Sequence, residues 1–227
     1  MNSTPPARLW WTSIGVGIIG WGLAAWRHWL LQSNAYDLGL FDQWAWLISN
    51  GLSPISSMEN VHVLADHGAW MFYLSGLLYW FHPSIQWLLA SQAFALSLTA
   101  IPIWMLATQA GLSKRLCWFS CLMWWLQPLV FNVNLFDFHP ETWVIPGLAL
   151  AIWCQRQKRF GAWVALLVLM LGCRDGLVLV TLGLSISLLT QRRWRWAVSG
   201  TAVSIAWILL LSKWLYPWFR NGEGPKA

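Results

Sequence analysis

The chain has 227 residues, of which 58% are hydrophobic and only 10% charged, with a mean hydropathy of +0.51. A soluble domain carries roughly 25% charged residues, so the composition argues against a water-soluble fold and for a bilayer as the solvent. The formal charge of +6 does not point to nucleic acid, because the basic residues sit in short clusters between apolar stretches and form no continuous stripe.

The four cysteines, Cys117, Cys121, Cys154 and Cys173, lie in or beside apolar segments without CxxC or CxxH spacing, so neither a disulfide framework nor a zinc site is indicated. The 22 tryptophans fit the boundary between headgroups and acyl chains, where an apolar ring with one N–H donor is favoured; sugar stacking is a second reading of the same excess.

The first apolar span, 9–26, is flanked by Arg8 and by Arg27 and His28. It reads as a retained helix, since it exceeds a usual signal core and its small-residue cleavage candidate, near Ala24 and Ala25, is poor. Residues 32–68 then break the apolar run with no Lys or Arg. Within them Leu40, Phe41, Trp44, Leu47 and Ile48 recur at helical spacing, which predicts a short interfacial helix ended by Gly51 and Pro54. Asp37 precedes that stretch and is placed to N-cap it. A second apolar piece, 70–81, is too short to span and is closed by His82 and Pro83.

Further spans follow at 85–108, 116–135, 143–154, 162–173, 177–190 and 197–215. With seven spans and an inside N-terminus, Arg8, Lys114–Arg115, Arg156–Arg159 and Arg192–Arg195 all fall on one face, as the positive-inside rule requires of cytoplasmic loops. The expected fold class is therefore all-α: a polytopic membrane protein of about seven transmembrane helices, with interfacial helices in a long first outer loop, 27–84. A single membrane domain is expected over 1–220, with a polar tail, 221–227, as a candidate truncation point.

The same topology sorts the acids. Asp37, Asp42, Glu59, Asp66, Asp137, Glu141 and Asp175 all fall outside, in three separate segments, as a metal or acid/base site requires. In "FDFHPE", Pro140 disfavours a helical His139, so Asp137, His139 and Glu141 are expected on one side of an extended segment, able to bind a divalent cation or set a base beside a phosphate. The alternative is that Pro140 starts a helix and Glu141 complements its dipole. Asp42 lies about 140° round a helix from Asp37, so the two do not share a face. Arg174 and Asp175 interrupt an apolar run; they form either a tight turn held by a local ion pair or an arginine that receives a ligand phosphate. His62, Asp66 and His67 are further candidate ligands, while His28 and His82 are interfacial.

"YDLGLFDQWAW", a histidine before the next apolar hairpin, "SQAFALSLTAIPIWMLA", "FDFHPE" and "CRDG" occur in that order. This ordered set resembles the membrane proteins of domain of unknown function 2079, which are in turn similar to GT-C glycosyltransferases. The resemblance implies sugar transfer from a polyprenyl-phosphate donor on the outer face of a bacterial inner membrane, with membrane lipid as surroundings. It singles out Asp37 as the catalytic or metal-coordinating acid, with Asp42, His139 and Glu141 as further catalytic candidates. Arg174, Asp175 and His67 become candidates for substrate binding, and Asp37 with Asp137 for holding a divalent cation, magnesium or manganese. Family members are commonly about twice this long, which implies a second polypeptide supplying further helices, or a split gene product. The alternative readings are a transporter, a non-catalytic accessory subunit or an inactive fragment; transport is disfavoured because, apart from Gln92, Asn132, Arg174 and Asp175, the spans offer little to line a pathway.

Overall fold

The computed structural model describes residues 4–220, so the polar tail at 221–227 lies outside the described residues. The described residues form helices and turns, joined by one isolated β-bridge between Ile55 and His62. Helix α1, Ala7–Trp29, is the first apolar span, with Arg27 and His28 in its last turn, where cations suit the negative end of the dipole.

Helix α2, Ala35–Ser49, is the helix expected in the first loop, but its cap is Asn34, whose side chain accepts the Tyr36 N–H at 2.9 Å. Asp37 sits one turn in and accepts from the Asn34 amide, so the expected N-cap role passes to its neighbour. Gly51, at φ +67°, follows the helix where an L side chain would be strained. The α2 face made of Leu38, Phe41, Trp44 and Ala45 is buried against Phe72 and Phe138, so this helix packs into the protein core.

A single turn α3, Val63–Asp66, and a 3-10 turn at Trp70–Phe72 lead into α4, Tyr73–Phe81. At nine residues, or about 14 Å, α4 is too short to cross a bilayer. Helices α5, Gln86–Leu98, and α6, Ala100–Gln109, run together as one 24-residue helix. Helices α7, Lys114–Trp125, and α8, Pro128–Leu135, meet at a 42° bend, where Pro128 at the first position of α8 forces Gln127 into extended backbone. After a 3-10 turn at Pro140–Trp143 come α9, Val144–Arg156, α10, Phe160–Leu171, and α11, Leu177–Ser187. Helix α12, Trp194–Leu210, continues through a π turn into α13, Tyr216–Phe219.

Each of the seven expected spans is helical. Three helices, 7–29, 86–109 and 194–219, are long and apolar enough to cross, and the bent α7–α8 pair makes a fourth. Helices α9, α10 and α11 have 13, 12 and 11 residues, about 17–20 Å against a hydrocarbon core near 30 Å. Their length is set by the charges that cut the apolar run at Arg156–Arg159, Arg174–Asp175 and Arg192–Arg193.

The chain runs back and forth between two ends of opposite charge. One end gathers 27–37, 59–67, 137–141, 174–176 and 216–220 through the contacts described below. The other gathers Arg8 with Lys114 around one cavity and Lys158 with Arg192–Arg195 around another. All four cysteines are buried and free.

Candidate functional site at the acidic end

The segment between α8 and the next turn is extended at His139, with φ −140° and ψ 125°, because Pro140 follows it. Alternation then sends Phe138 into the core, fully buried among Phe41, Phe72 and Trp143, and sets Asp137, His139 and Glu141 along one cavity. That cavity, about 490 Å³, is walled by Val133, Phe136 and Ile145 and by the polar Gln92, Asn132 and Thr142. Pro140 also starts the 3-10 turn with Glu141 in its first turn, so the extended and helix-start readings both hold, one residue apart.

Gln92 holds the segment in place. Its Nε2 donates to the Val133 and Phe136 carbonyls at 2.9 and 3.0 Å, and its Oε1 accepts the His139 N–H at 3.0 Å. Both ends of a 1% exposed amide are thereby satisfied, as burial demands.

Asp137 is the most buried acid of the site. Its side chain is 1% exposed and meets Arg27 at 2.9 Å and the Asn34 N–H at 2.6 Å. The Asn34 side chain donates to Asp37 at 3.1 Å, so Asp37 is linked through Asn34 to Asp137 and does not itself line the cavity. Asp42 turns the other way and accepts the Tyr79 hydroxyl at 2.7 Å, with no share in this network. The roughly 140° separation expected on a helix accounts for that divergence.

Glu141 forms an ion pair with Arg174 through Oε1, while its buried Oε2 lacks a hydrogen-bond partner. Arg174 therefore does not close a local pair with Asp175. Asp175 instead accepts from the Tyr216 hydroxyl at 2.7 Å and from the Gly176 N–H, and the His67 ring stands 3.7 Å from it and 3.2 Å from Asp66. Burial works to raise the Asp175 pKa, but the bonds from His67 and Tyr216 outweigh it and hold the carboxyl below its ordinary range. His62 caps α3 by accepting the Leu64 N–H and stacks on Phe219 at 4.0 Å; burial lowers its pKa.

Nδ1 of His139 lies 2.8 Å from the Asp137 carbonyl. A carbonyl only accepts, so Nδ1 carries the proton, and a neutral ring keeps its lone pair on Nε2. The ring is wedged between Phe41 and Phe136, which fixes its orientation.

Among the described residues no three His, Cys, Asp or Glu side chains gather to hold a metal ion. Asp137, one of the two expected ligands, is already neutralised by Arg27.

Sequence reading passed over Arg27, which it treated as the flank of a helix. The signal was present, because Arg27 is a cation on the acid-bearing side, where the positive-inside pattern does not call for one and a partner is needed.

No curated protein and no solved structure shows significant similarity to the chain. One family model, described as a predicted membrane protein (DUF2079), matches residues 27–227 and so covers the acidic cluster, the cavity and the arginine turn. The chain thus belongs to the DUF2079 family of predicted membrane proteins.

Proposed function

We propose that the chain is a membrane-embedded, glycosyltransferase-like enzyme that moves a sugar from a polyprenyl-phosphate donor to an acceptor hydroxyl in the cavity at its acidic end. The observation that carries this reading is the His139 ring, oriented by Asp137 with its Nε2 lone pair available, beside a carboxylate oxygen of Glu141 that has no partner. A sugar acceptor with two neighbouring hydroxyls fits that pair of acceptors. The attacking hydroxyl gives its one proton to His139 Nε2 as its oxygen bonds to the anomeric carbon, and the neighbouring hydroxyl donates to Glu141 Oε2. The bond from that carbon to the donor phosphate oxygen breaks, and the phosphate leaves with the electron pair. Arg27 and Arg174, each paired to a cavity carboxylate and 27% and 39% exposed, are the cations nearest the developing charge.

Asp37 is the rival for the base, favoured by the family resemblance and linked to the cavity through Asn34. By the positive-inside rule the acidic end faces outward and the N-terminus lies in the cytoplasm of a bacterial inner membrane.

Transfer from radiolabelled polyprenyl-phosphate sugars by purified membranes tests the reading. Loss of a general base lowers rates by about 10²–10⁴. That loss in His139→Ala with activity retained in Asp37→Asn supports His139; the reverse pattern assigns the base to Asp37. Transfer unchanged in both variants refutes the proposal.

A further inference from the structure

At the end opposite the acids, the turn between α9 and α10 meets the turn that precedes α12. The two are built alike. In the first, the Arg159 N–H bonds back to the Cys154 carbonyl with Lys158 at φ +59°; in the second, the Arg193 N–H bonds to the Leu188 carbonyl with Arg192 at φ +54°. Each turn therefore closes one helical stretch with a left-handed basic residue and launches the next helix at once.

Between them lies a cavity of about 560 Å³ lined by Lys158, Arg192, Arg193 and Arg195, with Phe160, Trp194 and Trp196. Four cations share this space with no acid among its lining residues; the described acids belong to the segments gathered at the other end, except Asp42, which pairs with Tyr79. Two of the cations are held in place, Arg193 by donating to the Gln155 carbonyl at 2.8 Å and Arg195 by lying 4.2 Å over the Phe160 ring. The first residues of α10 and α12, Phe160 and Trp194, also line the cavity, and neither helix has a side-chain cap. Two uncapped helix N-termini thus add their amide donors and positive dipole ends to the four cations, as anion sites use. The Trp194 ring is 62% exposed at the mouth, an indole suited to the headgroup layer.

We infer that this cavity binds the phosphate headgroup of an anionic phospholipid, holding the α9–α12 helices at the membrane surface. The chemistry it recognises is a phosphate ester; the flanking indoles and the membrane setting assign the lipid as its source. The cavity is independent of the transfer proposed above and stands or falls apart from it.

The test uses the full chain in nanodiscs of phosphatidylcholine doped with phosphatidylglycerol, with retained lipid read by native mass spectrometry and affinity by titration. Arg192→Gln with Arg195→Gln is compared with Lys114→Gln with Arg115→Gln, which removes the same charge from the same end outside this cavity. Both pairs lose the same general attraction to an anionic surface, and only the first also loses direct charge-assisted contacts to the phosphate, so it is expected to weaken phosphatidylglycerol binding roughly tenfold or more beyond the second. Circular dichroism checks that both variants are folded. Equal weakening by the two pairs overturns the site. Glycerol phosphate binding as tightly as phosphatidylglycerol overturns the lipid assignment.

Discussion

Arg27→Met is the sharpest probe of the acidic end. Asp137 is 1% exposed and has two donors, the Arg27 guanidinium at 2.9 Å and the Asn34 N–H at 2.6 Å. Removing the cation strands a buried carboxylate with one neutral donor, a loss that costs 3–5 kcal/mol for a fully buried pair. Arg27 is 27% exposed, so water already screens part of the attraction, and the expected loss sits at the lower end, about 3 kcal/mol. Denaturant unfolding in bicelles, followed by tryptophan fluorescence, measures it. The double variant with Asp137→Asn is expected to recover part of the loss, with a coupling of about 1–3 kcal/mol. A loss below about 1 kcal/mol in Arg27→Met, or strict additivity in the double variant, refutes the claim that this pair joins α1 to the cavity wall.

Tyr79→Phe removes the hydroxyl donated to Asp42 and is expected to destabilise by about 1–2 kcal/mol while leaving transfer intact, a split read by unfolding beside the membrane assay. Gly200→Ala sets a Cβ 2.6 Å from Trp163 and against Ser185, so overpacking of about 1–3 kcal/mol should appear as a lower melting midpoint. Burial holds the folded-state pKa of His62 below 6.5, so the unfolded chain takes the proton first. The stacking of His62 on Phe219 is therefore fully stabilising above about pH 6.5 and weakens as pH falls below it. Protection of residues 216–220 against hydrogen exchange, with the intrinsic pH dependence of the exchange rate divided out, should fall as pH drops below the ordinary histidine range, and His62→Phe should remove most of that dependence. Cysteines placed at Asn60 and Gln157 should label from opposite sides of intact cells, since the four native thiols are buried.

Much of the fold was legible because apolar run length and the grouping of Lys and Arg are direct records of helix position and end. Gly51 and Pro54 marked the exit of α2, and Pro140 marked the extended His139, since both act through local backbone sterics. Span length was legible too: the apolar runs 143–154, 162–173 and 177–190 are nearly as short as α9, α10 and α11, because the same charges end both the run and the helix. The acids were gathered correctly at one end, and their pairing was not readable. Which carboxylate meets Arg27, Arg174, His67 or a tyrosine depends on contacts between residues as distant as Arg27 and Asp137, or Asp175 and Tyr216. Asn34 took the cap expected of Asp37 because the helix starts at Ala35, ahead of the apolar-periodic stretch, which puts Asp37 inside the first turn and leaves Asn34 to meet the Tyr36 N–H.

In the proposed transfer the lipid-linked donor reacts in the cavity walled by Gln92, Asp137, His139 and Glu141. A photoreactive polyprenyl-phosphate sugar analogue, cross-linked in membranes and mapped by peptide mass spectrometry, tests it directly. Labelling confined to residues 132–145, the facing turn of α5 and the turn at Arg174 is the predicted result; labelling at the basic end, on residues 104–118, 155–160 or 188–196, contradicts it.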